Sequence, residues 1–194
     1  MPKKATIFLL IGFSGTGKLT VAKALAARLA ERGHHVRLVD NHYVNNPIFG
    51  LLDQDGVRPL PDGTWERVAE VREAMVRTIE TLSPPDWSFI FTNDLIDGPK
   101  QRAWVQRLVA LADTRGSQLL PVRLLCEVEE LSRRVVSAER RALMKGVNAE
   151  EVRRRVATEK VLDPDLPSTL TLDITSIPPL DAADRILAHS AAMR

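Results

Sequence analysis

The chain has 194 residues, of which 44% are hydrophobic and 27% charged, and its formal net charge is +2. These values are typical of one globular domain with a sizeable core, and the small net charge gives no general reason to expect a nucleic-acid partner. No segment has the roughly 20 apolar residues needed to cross a bilayer. The single cysteine, Cys126, cannot form an internal disulfide. We therefore expect a protein of the reducing cytoplasm.

The first part of the chain alternates between strand and helix patterns. Residues 5–11 form a short apolar run that leads into glycine, which is typical of a buried parallel strand. Residues 18–32 carry apolar side chains at helical spacing, and Gly33 follows as a stop signal. A second strand is predicted at 35–39, directly before Asp40.

The stretch from 41 to 63 is rich in Asn, Pro, Gly and Asp, and we predict that it is irregular. It is long for a plain connection, and its apolar residues argue against disorder. We interpret it as a flap over a bound acceptor molecule, although a surface loop fits the same composition. A helix is predicted at 64–82, with Thr64 as its cap.

The rest of the chain continues the alternation. Strands are predicted at 87–92, 118–126 and 169–174, and helices at 100–115, 129–137, 149–160 and 181–193. Apolar strands separated by helices imply right-handed crossovers, and hence a three-layer α/β fold in which a five-stranded parallel sheet has helices on both faces. The ligands of such sheets bind beyond the carboxyl ends of the strands.

A phosphate-loop motif follows the first predicted strand. Its residues are Gly12, Phe13, Ser14, Gly15, Thr16, Gly17, Lys18, Leu19 and Thr20, and they open the first predicted helix. Glycines let successive N–H groups point at phosphate oxygens, the helix N-terminus adds positive dipole, and Lys18 supplies a charge for the β- and γ-phosphates. The motif predicts the P-loop NTPase fold and a site for a nucleoside triphosphate, with ATP preferred.

One position departs from the general P-loop pattern. The Ser or Thr whose hydroxyl binds Mg²⁺ normally follows the lysine directly, whereas here Leu19 follows and the hydroxyl comes at Thr20. We therefore favour contact between Thr20 and Mg²⁺ through water. Asp94, just after the third predicted strand, is a candidate carboxylate for orienting the same ion through water. Asn93 and Asp94 fit a helix-capping role equally well.

With this motif in this order of elements, the chain resembles the P-loop small-molecule kinases, which include adenylate, shikimate and gluconate kinases and chloramphenicol phosphotransferase. It also resembles uncharacterised bacterial ATPase-like and kinase-like proteins. The match is strongest over the phosphate loop and weaker at Asp40 and near residue 140. The resemblance implies transfer of a phosphoryl group from ATP, with Mg²⁺, to a small molecule, and a small helical lid over the site.

Asp40 comes where the second predicted strand ends. By resemblance to chloramphenicol phosphotransferase, it is the base that accepts the proton of the acceptor hydroxyl. A carboxylate at a strand end can also form an Asx turn or a helix cap, so two interpretations are open. His42 is a weaker candidate for the base.

A basic segment comes late in the chain. Residues 133–160 include nine basic and four acidic residues, a local excess of +5 that is larger than the net charge of the whole chain. Phosphoryl transfer develops negative charge that mobile arginines can neutralise. By resemblance, residues 137–148 form the lid, Arg140 or Arg141 reaches the phosphates, and Arg134 stacks on the adenine.

For Arg153 to Arg155 we favour a solvated helix face over a catalytic role. The spacing suggests ion pairs between residues four apart, such as Glu150 with Arg154 and Glu151 with Arg155.

The preferred hypothesis is an ATP-dependent kinase that phosphorylates a hydroxyl of a small molecule, either a metabolite or an antibiotic. A nucleotide-binding regulator with little chemistry is the second hypothesis, and the unusual Leu19 favours it slightly. A protein that binds nucleic-acid ends through the basic segment is the least favoured, because the total charge is nearly neutral.

Overall fold

The computed structural model of the chain describes residues 4–52, 59–136 and 148–193. Its strands are β1 (Thr6–Ile11), β2 (Val36–Asp40), β3 (Ser88–Asn93), β4 (Gln118–Leu125) and β5 (Leu170–Asp173). Its helices are α1 (Lys18–Glu31), α2 (Asn41–Phe49), α3 (Thr64–Thr81), α4 (Pro99–Thr114), α5 (Val128–Val135), α6 (Ala149–Thr158) and α7 (Pro179–Ala192). Apart from α2, these elements lie within one or two residues of the predicted bounds.

The five strands form one parallel sheet in the order β2-β3-β1-β4-β5. Strand β1 lies in the middle and all six of its residues are buried, as expected for a strand covered on both faces. The carboxyl ends of β1, β2 and β3 lie next to one another, because Ile11 pairs with Asn93 and Asp40 pairs with Thr92. The predicted three-layer α/β fold is confirmed.

Two apolar clusters cover the two faces of the sheet. One contains Phe8 and Leu10 of β1 together with residues of α1 and α7, and the other contains Ile7 and Leu9 of β1 together with residues of α3 and α4. Successive residues of a strand point to opposite faces, so one apolar strand contributes to both clusters. Within the part of the chain described, no helix is both long and apolar enough to span a membrane.

The prediction that 41–63 is irregular is wrong for its first part, where α2 forms. Asp40 is the N-cap of this helix, and its side chain accepts a hydrogen bond from the backbone N–H of His42. Val44 and Phe49 of α2 are buried against Val68 of α3. The abundant Asn residues and a proline hid the helix, because composition alone does not show which residues meet a neighbouring helix.

The predicted cap of α3 is also wrong. Gly63, with a φ of 81°, is the N-cap, and no side chain caps this helix. Thr64 is already the first helical residue, and its hydroxyl donates to the carbonyl of Pro61 at 2.6 Å.

Candidate active site

The phosphate-loop residues connect the central strand to the helix behind it. Gly12 to Gly17 follow the end of β1, and Lys18 is the first residue of α1. Gly15 and Gly17 have φ values of 88° and 96°, in the left-handed region that glycine enters without steric cost. Gly17 is the N-cap of α1 and has no side chain to satisfy the first N–H groups of the helix. The loop therefore has the backbone shape and the helix N-terminus that bind phosphate.

The ammonium group of Lys18 lies over this loop. Its Nζ donates hydrogen bonds to the backbone carbonyls of Gly12 at 2.7 Å and Phe13 at 2.8 Å. The carbonyl of Phe13 also accepts hydrogen bonds from the N–H and the hydroxyl of Thr16. These hydrogen bonds hold the positive charge of Lys18 at the phosphate loop.

The two residues after Lys18 differ in their exposure. Leu19 is half-buried and Thr20 is exposed on the first turn of α1. Among the residues described, no group of three or more His, Cys, Asp or Glu side chains could hold a metal ion. Mg²⁺ bound with nucleotide phosphates needs only one or two protein oxygens, because phosphate and water supply the rest. The residues present therefore fit a nucleotide-borne Mg²⁺ rather than a dedicated protein cage.

Asp94, the predicted Mg²⁺-orienting carboxylate, contacts the phosphate loop itself. Its Oδ2 accepts a hydrogen bond from the backbone N–H of Ser14 at 3.1 Å. Both carboxylate oxygens also pair with the guanidinium of Arg155, at 2.8 and 3.0 Å. A protein carboxylate thus accepts a hydrogen bond from one of the loop amides, and a two-point ion pair with Arg155 holds it in place.

Arg155 was assigned by sequence to a solvated helix face, and that assignment is wrong. Its side chain is only 21% exposed, and its guanidinium lies 5.4 Å from the ring centroid of Phe13. Burial lowers the pKa of Arg155, but hydrogen bonds to Asp94 and Glu159 outweigh burial and raise that pKa overall. Arg155 is therefore a permanent cation beside the phosphate loop, a functional candidate that sequence reasoning missed.

The predicted ion pairs of the same helix also need correction. Arg154 pairs with Glu151 at 2.6 Å, three residues away rather than four, and Arg155 pairs with Glu159 instead of Glu151. Arg153 pairs with Glu129 of α5. Only the position of α5 and of the phosphate loop decides which arginine faces inward, and helix spacing alone carries no signal for it.

Asp40 is buried at the end of β2, and both of its carboxylate oxygens have partners. Oδ1 accepts from the N–H of His42 at 3.0 Å, and Oδ2 accepts from the hydroxyl of Thr92 at 2.8 Å. The capping role that the sequence left open is thus present. Each carboxylate oxygen can accept two hydrogen bonds, so this geometry also leaves acceptor capacity for a further donor.

A cavity lies beside the ends of β2 and β3, between the sheet and helices α2, α3 and α4. Its lining residues are Val39, Asn41, Val44, Arg72, Met75, Phe91, Asn93 and Trp104. The void measures about 230 Å³ including its open mouth, and about 10 Å³ of it admits the centre of a water molecule. This is room for roughly one water in the form described.

Hydrogen bonds link three polar side chains in the lining of this cavity. Asn93 donates through Nδ2 to the Oδ1 of Asn41 at 3.0 Å and accepts from the Nε1 of Trp104 at 3.3 Å. Asn93 therefore lies at the cavity while its neighbour Asp94 lies at the phosphate loop. The sequence could not separate the roles of these two candidates, but the structure places them on different sides of the site.

Arg134 connects the phosphate loop to the residues that follow β5. Its guanidinium donates to the carbonyl of Thr16 at 3.3 Å and to the carbonyl of Thr175 at 2.9 Å, and its Nε pairs with Glu130 at 2.6 Å. Hydrogen bonds from Arg133 and Arg134 lower the pKa of Glu130 to about 2. The predicted adenine-stacking residue is thus fixed at the edge of the loop, on the side of β4 and β5.

Several predicted residues lie outside the part of the chain that the structure describes. They are Arg140 and Arg141, the predicted lid except for Asn148, and residues 53–58 of the predicted flap.

Comparisons with known proteins identify the fold. No protein-family profile matches the chain, and no curated protein sequence matches it. Solved structures do match along nearly the whole length. A candidate kinase from Chloroflexus aurantiacus has a TM-score of 0.68 at 19% identity and covers 98% of both chains.

Two further structures give the same result. A gluconokinase from Sinorhizobium meliloti has a TM-score of 0.62 at 16% identity, covering 98% of this chain and 93% of its own. Kti12 from Chaetomium thermophilum, solved in complex with ADP-AlF3, has a TM-score of 0.63 at 13% identity, covering 96% and 97%. At such low identity the likeness shows the fold alone, and that fold agrees with the P-loop NTPase fold predicted from the sequence.

Proposed function

We propose that this protein is an ATP-dependent phosphotransferase that moves the γ-phosphate of ATP to a hydroxyl of a small molecule. One observation carries the proposal. The phosphate loop with Lys18 lies at the end of β1, and a cavity lined by Asn41, Arg72 and Asn93 together with apolar side chains opens at the ends of the neighbouring strands β2 and β3. A donor site and an acceptor site side by side are what phosphoryl transfer requires. The gluconokinase likeness is consistent with a hydroxylated acceptor.

The loop residues hold the triphosphate in this proposal. The loop from Gly12 to Thr20 binds phosphate oxygens through backbone N–H groups, and Lys18 moves from the loop carbonyls to the β- and γ-phosphates. Arg134, beside the residues after β5, contacts the adenine. Arg140 and Arg141, from outside the described residues, neutralise charge on the transferring group as the site closes.

Mg²⁺ enters with the nucleotide and neutralises phosphate charge. Thr20 and Asp94 orient it, in our proposal through water, because no protein cage for it exists among the residues described. For Asp94 this requires that nucleotide phosphate replace the carboxylate on the N–H of Ser14.

Asp40 is the proposed base on the acceptor side. The acceptor oxygen forms a bond to the γ-phosphorus, the bond from that phosphorus to the bridging oxygen breaks, and ADP leaves. The hydroxyl proton goes to a free lone pair of Asp40. The N–H of His42 and the hydroxyl of Thr92 fix the position of this carboxylate at the end of β2, and the next residue, Asn41, lines the cavity.

The test combines a screen with one substitution. ADP formation is measured with ATP and Mg²⁺ over a panel of hydroxylated metabolites and antibiotics, and transfer to none of them would count against the kinase. Asp40→Asn keeps the size and one capping oxygen. We expect it to bind ATP within about twofold of the parent and to lose about 100- to 10,000-fold in transfer rate. Asp113→Asn, an exposed change on α4, is the matched control. Full transfer by Asp40→Asn would remove Asp40 as the base.

A second function is favoured by the contact of Asp94 with the loop. Because Asp94, held by its ion pair with Arg155, already accepts a hydrogen bond from the Ser14 amide, a protein with this site binds and releases nucleotide as a signal with little transfer. Tight binding of ATP or ADP with no acceptor turned over would support this nucleotide-binding regulator.

A further inference from the structure

The acceptor-side cavity contains one charged side chain, Arg72 of α3. Its guanidinium carbon lies 5.0 Å from the ring centroid of Trp104, and the ring therefore supports one face of the cation. The Nε of Arg72 is shielded from solvent and has no hydrogen-bond partner among the described residues. Burial lowers the pKa of Arg72, and no carboxylate of the described residues counteracts this effect.

The neighbouring arginines on α3 and α4 are different. Arg67 pairs with Glu70, Arg77 pairs with Glu73, and Arg107 pairs with both Glu73 and Glu80 at 3.1 and 3.0 Å. Carboxylates are thus available on this face of the molecule, but within the described ranges none of them forms an ion pair with Arg72. Arg72 is half-buried, and a cation partly shielded from water without a counter-charge is stabilised when an anion joins it.

The other polar groups of the cavity also suit an anion. The Oδ1 of Asn41 is taken by Asn93, and no hydrogen bond in the described part of the chain uses the Nδ2 donor of Asn41. The lining has no carboxylate. Its lining residues therefore offer a cation and an amide donor, and no anionic side chain.

We propose that Arg72 binds an anionic group of the acceptor molecule, a carboxylate or a phosphate, and so selects acidic acceptors over neutral ones. This inference rests on the proposed kinase function, because it names the substrate class of the same site. Asn41 directly follows Asp40, so the acceptor is held with its hydroxyl at Asp40 and its anionic group at Arg72. The guanidinium fork matches both carboxylate and phosphate geometry. With room for about one water, the cavity must widen to admit the acceptor.

Binding of three related molecules tests the proposal. The protein is first saturated with the non-hydrolysable analogue AMPPNP, so that the phosphate loop is filled. Calorimetry then measures the affinity for glycerol 3-phosphate, glycerate and glycerol, which differ in carrying a phosphate, a carboxylate or no charge. We expect at least one of the two anions to bind more tightly than glycerol. Arg72→Met should lower the affinity for that anion by about 10- to 100-fold. The better of the two anions shows which group the site takes.

Two variants make the result specific. Arg67→Met removes an exposed arginine of the same helix and is expected to leave anion binding unchanged. Arg72→Lys keeps a charge without the planar fork and is expected to retain part of the affinity. Thermal unfolding with and without AMPPNP shows that Arg72→Met is folded and keeps its nucleotide site.

The outcomes separate this inference from the proposed function. If AMPPNP binds but neither anion does, or if Arg72→Met binds both anions as the parent does, the anion site is wrong while the kinase proposal stands. If AMPPNP does not bind, the kinase proposal fails. In that case the two anions and glycerol are titrated into the Lys18→Met variant, whose phosphate loop lacks its lysine charge. Their affinities for this variant decide whether Arg72 binds anions.

Discussion

The nucleotide side and the acceptor side of the site compensate their charges in different ways. On the nucleotide side, Lys18 bonds to loop carbonyls, Arg155 pairs with Asp94 and Arg134 pairs with Glu130. On the acceptor side, Arg72 lies over Trp104 with no carboxylate partner in the described part of the chain. Both sides are cationic, but among the residues described only the proposed nucleotide side has carboxylates and carbonyls paired with its cations.

This difference predicts how each side responds to its ligand. If the proposed function is right, phosphate displaces protein carbonyls and the Asp94 carboxylate on the nucleotide side, so part of the binding energy is used to exchange partners. On the proposed acceptor side, an anion would pair with a cation that no carboxylate of the described residues holds. The comparison is tested by changing one charge at a time on each side.

Among the changes that compare the two sides, the largest effect is expected from Lys18→Met. The ammonium is the only side-chain charge that the phosphate-loop motif supplies, so its loss should lower the rate of ADP formation by about 100- to 1,000-fold. Lys23→Met, an exposed change on the same helix, should leave the rate unchanged. Parental activity in Lys18→Met would show that the loop does not position the transferring phosphate.

A smaller effect is expected on the free energy of unfolding, and it should differ between the two sides. Asp94→Asn leaves the partly buried Arg155 without its two-point partner and should lower the free energy of unfolding by about 1–3 kcal/mol. Arg72→Met removes a cation that has no counter-charge, and the free energy of unfolding should stay equal or rise. Urea unfolding of the ligand-free variants measures both.

The matched control for the Asp94 pair is Asp97→Asn. Asp97 pairs with Arg102 at the surface, where both side chains are about half exposed at 49% and 51%, so its loss should cost less than about 1 kcal/mol. If Arg72→Met destabilised the protein as much as Asp94→Asn, the two sides would not differ and the contrast would be wrong.

The smallest effect is the pH dependence of the Glu130 pair. The pKa of Glu130 lies at about 2 in the folded protein against an ordinary value of 4.5, so its ionised form stabilises the fold. This contribution is fully present above about pH 4.5 and is lost as the pH falls towards 2. The stability difference between the parent and Glu130→Gln should therefore shrink over that interval. Glu129→Gln, an exposed change on the same helix, should show a smaller difference, and a gap that widened on acidification would contradict the assignment.

Local sequence was sufficient to predict the phosphate loop and most of the fold. A loop of this kind depends on glycines at fixed spacing and on the strand and helix at its two ends, and these are properties of neighbouring residues. The strands were predictable because a parallel sheet covered on both faces needs continuous apolar runs. Helix α2 was missed, since its Asn-rich composition resembles a loop until Val44 and Phe49 are seen to pack on Val68.

The charge partners of the site depend instead on residues far apart in the chain. Asp94 and Arg155 are 61 positions apart, and Asp40 and Thr92 are 52 apart. Local periodicity assigned Arg155 to solvent and gave no sign that Arg72 faces a cavity, because a helix offers several arginines and only its packing decides which one turns inward. The order of the strands brings these distant segments together, and this tertiary arrangement decides which charged groups contact one another at the site.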